Sequence, residues 1–377
     1  MPAGNNREPG FSRREALAAL LAGGTLAPLL RAAEAGAEVS WLAEVQRPPA
    51  VLPPAGPKLG PLLVNDDGSP ITTLRQWQQR RKELRRWWLD FLGMPKIERK
   101  PPPRLTVLEE DRPEGVVRQR VRYEVEPGDA TEAYLLKPAA AGGRRPGVVV
   151  FHSTVNHSIR QPAGVEVEPT AEKAFGLALA QRGYVAFCPR NYLWPENTRF
   201  STAEAVARFG RRHPGAKGMA KMLFDGIVAL DILAGLPEVN PARLGAVGHS
   251  LGAKETLYLA AFDERVRAAV SSEGGIGTRL SNWDAPWYLG PMIRQADFTH
   301  EQHELLALAA PRAFLLLAGE GGNAADGARS WPLLAAAMPV YRLYGRTPRL
   351  GMFNHGEGHH VPPLAEQRIY QWLDAYC

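Results

Sequence analysis

Hydrophobic positions change their spacing along this chain. From Thr72 to Leu92, the apolar residues Leu74, Trp77, Leu84, Trp87, Trp88 and Leu92 recur near helical spacing among Gln, Lys and Arg. This predicts an amphipathic helix packed on the main body. The competing reading of its aromatic residues is a sugar platform. Val116 to Val125 alternates polar and apolar with period two, which predicts a half-exposed strand, and Glu132 to Lys137 predicts a second. An antiparallel edge is therefore expected to open the sheet. Beyond it come short continuous apolar runs separated by helical stretches: Gly147–Phe151, Tyr184–Cys188, Leu244–Gly248, Val266–Val270, Ala313–Leu317 and Val340–Tyr344. Buried strands alternating with helices imply a mostly parallel central sheet with helices on both faces.

Prolines punctuate the region before this pattern. Pro48, Pro49, Pro53, Pro54, Pro57 and Pro61 discourage helix and central strand, so this stretch is expected to wrap the body in extended form, and Pro101, Pro102 and Pro103 end the helical region. The expected organisation is residues 1–37 as a leader, 38–110 as a proline-rich and helical extension, and 111–377 as a catalytic domain.

The chemistry centres on Gly248-His249-Ser250-Leu251-Gly252, which follows the strand Leu244–Gly248 and precedes the helical run Ala253 to Ala261. A nucleophile elbow needs this context: a strained strand-to-helix turn exposes a serine hydroxyl, and glycines on either side permit close backbone packing. Ser250 is the candidate nucleophile. The Leu251 amide, at a helix N-terminus, is a candidate oxyanion donor. The second donor is expected in the loop after Val148–Val150, and the Thr154 amide is chosen. His152 and His157 lie nearby.

A serine hydroxyl needs a base, placed after the last strand in this architecture. His355, His359 and His360 qualify, in Asn354-His-Gly-Glu-Gly-His-His-Val-Pro362 just before a C-terminal helix Pro363 to Tyr376. His359 is preferred because Gly358 frees the turn before it. A metal cluster of His355, Glu357, His359 and His360 is the rival, but no cysteine or second acidic set supports it, so no metal is expected. Glu273, Asp326 and Glu320 compete for the acid, with Asp326 and Glu273 ahead.

The chain resembles bacterial α/β-hydrolases of the acetyl-xylan-esterase and glucuronoyl-esterase kind. The resemblance covers roughly Val116 to the C-terminus, through Gly248–Glu255, Ser272-Glu-Gly-Gly275, His303–Arg312 and Gly358-His359. It implies an α/β-hydrolase fold, ester hydrolysis without a cofactor, and a substrate role for Lys254, four positions after the nucleophile. The acid in a Glu-small-Gly segment matches Glu273. Glucuronoyl esterases carry an arginine directly after the nucleophile where this chain has Leu251, so ester hydrolysis is implied and glucuronoyl specificity is not. Trp283 and Trp287 could stack on sugar rings or simply pack a lid.

Composition adds bounds. With 377 residues, 45% hydrophobic and 22% charged, the chain can bury a large core. Of the net charge of +6, Arg7, Arg13, Arg14 and Arg31 against Glu8, Glu15 and Glu34 leave +1 in the first 37 residues and +5 beyond. The densest cationic stretch, Arg80 to Arg86, is interrupted by Glu83 on a helix-like segment, so no nucleic-acid partner is expected. Ser12-Arg13-Arg14-Glu15-Ala16-Leu17 before a short apolar run resembles a twin-arginine export signal, which implies a periplasmic or secreted enzyme. Export of that kind carries a folded protein, so the two cysteines, Cys188 and Cys377, need not pair. No later segment offers the ~20 uninterrupted apolar residues of a membrane span. The expected function is an exported serine ester hydrolase acting on acylated carbohydrate or small esters. A peptidase or lipase of the same fold, or a non-catalytic carbohydrate-binding homologue, is the alternative. The sequence leaves the oligomeric state open.

Overall fold

The computed structural model describes residues 38–52, 58–95, 101–165, 173–195, 199–321 and 327–377. The leader expected at residues 1–37 and the acid candidate Asp326 lie outside the described residues.

Residues Val39–Cys377 form a compact unit built on a nine-stranded sheet. Its strands are β1 (Thr106–Asp111), β2 (Val116–Glu126), β3 (Asp129–Pro138), β4 (Arg145–Phe151), β5 (Val185–Pro189), β6 (Val239–His249), β7 (Val266–Ser272), β8 (Ala313–Ala318) and β9 (Leu350–Asn354), in the spatial order 1-2-3-5-4-6-7-8-9. The strands β1, β2 and β3 pair antiparallel, and from β5 onward the pairing is parallel.

Continuous apolar runs work here because both faces of the parallel strands are covered. Val149, Phe151, Phe187, Ala246, Phe314 and Leu316 enter one core, whereas Val148, Val150, Ala186, Val247, Leu315 and Leu317 enter the other. Successive side chains point to opposite faces, so a strand buried on both sides must be apolar at every position.

Two sequence expectations change. β1 was not anticipated: all six of its residues are exposed, so burial leaves no apolar mark on it. The run Val340–Tyr344 is not a strand. It closes the helix Trp331–Arg342, whose buried residues Leu333, Leu334, Ala337, Met338, Val340 and Tyr341 follow helical spacing, and the last strand is β9, one step later. A short apolar run does not by itself distinguish strand from buried helix.

The helix Leu74–Leu92 forms as expected. Thr73 and Gln76 make a reciprocal capping box, and Gly93, at φ 65°, ends the helix. Trp77, Leu84, Trp88 and Leu92 are buried on one face. The Trp88 indole donates to Glu304 Oε2 at 2.7 Å, on the helix His303–Ala309. That burial makes Trp77 and Trp88 core residues rather than a sugar platform. Trp87, half-buried, stacks on His300 and Phe91.

The ends of the described chain meet. Trp41, before the short helix Leu42–Val45, stacks on Trp372 of the C-terminal helix Pro363–Tyr376 with ring centroids 5.8 Å apart. Arg368 pairs with Glu44 at 2.9 Å, and Val45 packs so closely on Gly351 of β9 that a side chain there would clash. Cys188 and Cys377 are both free and buried, and burial pushes the Cys377 thiol up to about 12.

If the helix Leu74–Leu92 is part of the core, Trp88→Ala should lower unfolding free energy by about 3–5 kcal/mol. Equilibrium urea unfolding measures this, and a loss near zero would mean the helix is an adornment.

Candidate active site

Strand register assembles the site. β6 and β7 are in register at His249↔Ser272, so Ser250 and Glu273, each one residue further, emerge side by side at the C-terminal ends of the two strands. The Ser250 amide donates to Ser272 O at 2.8 Å, and the Glu273 amide to Leu317 O at 3.0 Å. Both residues have positive φ, 57° for Ser250 and 58° for Glu273. Left-handed backbone is unfavourable for side chains of this size, and such strain gathers where geometry serves a site.

Ser250 precedes the helix Leu251–Phe262. The elbow is tight because two glycines allow backbones to touch. A Cβ on Gly252 would lie 2.5 Å from Phe151 O, and one on Gly248 would strike the Gly252 backbone. Leu251 is the first residue of the helix, where an amide has no intrahelical acceptor. Thr154 lies exposed at the bend after β4.

Glu273 is fully buried and stands between two histidines. Its Oε1 lies 2.7 Å from His355 Nε2, and its Oε2 lies 3.6 Å from His359 Nδ1. Oε2 and His359 Nδ1 are both buried and, among the described residues, each lacks a closer hydrogen-bond partner, so each is the other's natural partner there. Catalytic hydrogen bonds in unliganded enzymes are commonly long. The His359 side chain is 30% exposed. On its other side the His249 ring packs at 4.8 Å. Burial, reinforced by the neighbouring His359, holds the His249 imidazole well below its ordinary proton affinity.

The remaining candidates separate from this group. His360 pairs at the surface with Glu357 at 2.9 Å. Glu320 is exposed, accepting from Asn354 Nδ2 and the Ala328 amide. Lys254 was expected to meet substrate, but it is buried. Its Nζ donates to Gly274 O and to Ser281 Oγ and sits 4.1 Å above the Trp283 ring. Trp283 is buried too, its indole donating to Gly275 O at 2.6 Å. Neither offers a free face to a ligand. Together they hold the loop that follows Glu273, because a buried cation and indole must find acceptors and those at hand are loop carbonyls. Trp287 is half-buried against Tyr288. Among the described residues, no group of three or more His, Cys, Asp or Glu side chains is arranged to hold a metal ion.

Sequence reasoning missed the contact of His355 with Glu273 and that of His249 with His359. The first had a faint signal, a second histidine four residues before the candidate base. The second had none beyond adjacency to Ser250.

The sheet, the elbow and the order of the elements are those of the α/β-hydrolases. Residues 131–293 match the dienelactone hydrolase family, and the fold is that of an α/β-hydrolase. YtaP of Bacillus subtilis (strain 168), described only as a hydrolase, is 26% identical over 251 residues, covering 64% of this chain and 80% of that protein. The fold is also similar to that of a glucuronoyl esterase from Solibacter usitatus, with 17% identity, TM-score 0.66, and 86% of this chain and 98% of that chain covered. A CE15 glucuronoyl esterase from Teredinibacter turnerae T7901 gives 21% identity, TM-score 0.63, and 84% and 88% coverage.

His152, in the loop after β4, yields a prediction about pH. It is buried, Nε2 accepting from the Asn191 amide at 3.1 Å and Nδ1 donating to Ser153 O at 2.7 Å. Burial pushes it down to about 4 from 6.5. Between those values the unfolded chain binds a proton that the folded protein does not, so stability is full above the unfolded value and is lost as pH falls toward the folded one. At pH 5 the expected loss is about 2 kcal/mol. Urea unfolding at pH 7 and pH 5 measures it, and His152→Asn should shrink the difference by that amount; an unchanged difference would clear His152.

Proposed function

We propose that this enzyme hydrolyses carboxylic esters of acylated carbohydrates or small alcohols through an acyl-enzyme on Ser250. The observation that carries this is Ser250 and Glu273 side by side at the ends of β6 and β7, with Glu273 buried against His359 Nδ1. In this mechanism His359 Nε2 takes the Ser250 hydroxyl proton while Oγ bonds to the ester carbonyl carbon. The resulting oxyanion accepts from the Leu251 amide and, in our assignment, the Thr154 amide. As the tetrahedral intermediate collapses, the carbon–oxygen bond to the alcohol breaks and His359 returns the proton to the departing alkoxide. Water then repeats the sequence on the acyl-enzyme, releasing the acid and Ser250.

Glu273 orients His359 and stabilises its charged form. Glu273, rather than Asp326 or Glu320, is the acid in this assignment. The carbohydrate side of the proposal draws on the glucuronoyl esterases of similar fold. Trp287, half-buried near the loop after Glu273, is the remaining aromatic contact for a sugar ring. Leu251, buried in the core, stands where glucuronoyl esterases carry an arginine and offers no cation to a uronate, so neutral acyl sugars fit better than glucuronate esters.

Nitrophenyl acetate, acetylated xylan and a glucuronate benzyl ester, assayed side by side, test the substrate class. Ser250→Ala should lower kcat on the order of 10⁴-fold or more, and Glu273→Gln by orders of magnitude, with Asp326→Asn and Glu320→Gln within about tenfold. Wild-type turnover by Ser250→Ala would end the serine mechanism.

Export is the second part of the proposal. It rests on Arg13 and Arg14 ahead of a short apolar run, and among the described residues no helix is long and apolar enough to cross a membrane. Replacing both arginines by lysine should retain the precursor in the cytoplasm. Undiminished enzyme in the periplasmic fraction would point to another route.

A further inference from the structure

We propose that His355 is a positioning residue: as a neutral imidazole it donates to one oxygen of Glu273 and so presents the other to His359. The inference rests on the assignment of Ser250, His359 and Glu273 given above and adds a fourth member to it.

The placement follows from register. β7, β8 and β9 are aligned at Ser272↔Leu317 and Leu317↔Phe353, so the first residues beyond β7 and β9, Glu273 and His355, flank the end of β8. The His355 amide donates to Ala318 O at 2.9 Å, and its side chain is 3% exposed. The ring therefore has little freedom.

Its tautomer follows from its two partners. The Glu357 amide points at Nδ1 from 3.3 Å, and an amide N–H only donates. Nδ1 is thus the lone-pair nitrogen, Nε2 carries the proton, and the contact to Glu273 Oε1 at 2.7 Å is a donation by a neutral ring. The arrangement needs no positive charge on His355. A backbone amide two residues along the chain sets which nitrogen does the work.

Removing that donor leaves Oε1 buried and unpaired. A buried carboxyl with one unsatisfied oxygen either takes up a proton or turns to share its remaining partner. Both outcomes disturb His359, since its Nδ1 faces Oε2 of the same group. Among the described residues, the titratable groups around this pair are His355 and His359 themselves, then His249 against His359 with Lys173 beyond it, and His360 and Glu357 beside His355. His249 stays neutral by burial, and His360 with Glu357 lies at the surface. The group whose loss directly unpairs Oε1 is His355.

The test is the pH profile of kcat/KM on nitrophenyl acetate for wild type, His355→Gln, His355→Leu and Glu273→Gln. His355→Leu should lower kcat about 10–100-fold with KM changed less than about threefold, and should raise the acid limb by about one pH unit. His355→Gln, which keeps an N–H near the position of Nε2, should stay within about fivefold of wild type with the limb in place. Equal losses in both variants with an unmoved limb would make His355 ordinary packing and overturn the proposal. An inactive Glu273→Gln beside a wild-type His355→Leu sinks this inference alone, whereas a fully active Glu273→Gln sinks the acid assignment beneath it. Should His355→Leu fail to fold, ¹⁵N spectra of histidine-labelled wild type decide. The resonance that disappears in His355→Gln must show the Nε2–H tautomer from pH 6 to 9, and an Nδ1–H tautomer refutes the proposal.

Discussion

A carboxyl group with no solvent exposure is the constraint around which this molecule is arranged. Glu273 can be buried only because each of its oxygens faces an imidazole, one from His355 and one from His359. Without such partners, desolvation would cost several kcal/mol. Meeting that demand fixes a great deal: φ of 58° at Glu273, the Leu317 carbonyl that holds its amide, and the path of the chain after β9 that brings two histidines to one side chain. The loop after Glu273 is fastened in turn by Lys254 and Trp283, which are buried for that purpose rather than displayed to solvent.

The same economy of space governs the turn at Ser250. Ser250 reaches its position because β4, β6 and the following helix approach until the Gly252 backbone lies against Phe151. That approach is possible only in a sheet packed on both faces, where helices press toward the strand ends from two cores. Elbow and acid therefore depend on one register, His249↔Ser272, and a slip of one residue would turn both away from each other.

How far the sequence discloses this depends on how local each cause is. The elbow at Gly248–Gly252 is legible because its glycines, strand and helix are contiguous, and so is the amphipathic helix Leu74–Leu92, whose capping pair is three residues apart. The partner of His359 was not legible. Glu273, Asp326 and Glu320 all follow strands, and what separates Glu273 from Glu320 is three-strand register together with burial that no neighbouring residue records. β1 escaped because an exposed edge carries no hydrophobic pattern. Val340–Tyr344 misled because the last turn of a buried helix can show the apolar density of a strand. Lys254 and Trp283 are ambiguous in another way, since sugar-binding residue types are also the types that fasten buried loops.

The meeting of the two ends of the described residues bears on the order in which this enzyme takes shape. Arg368 and Glu44 are 324 residues apart in sequence, and Trp41 with Trp372 farther still, yet these pairs embrace β9 and the helix that follows the histidine loop. Contacts of such separation close only after the intervening chain has been synthesised and largely collapsed. A ribosome-bound chain can thus form the elbow and the strands beside it while β9 still lacks its clamp. His355 and His359 belong to that late segment, so Glu273 lacks both of its imidazole partners until the segment docks.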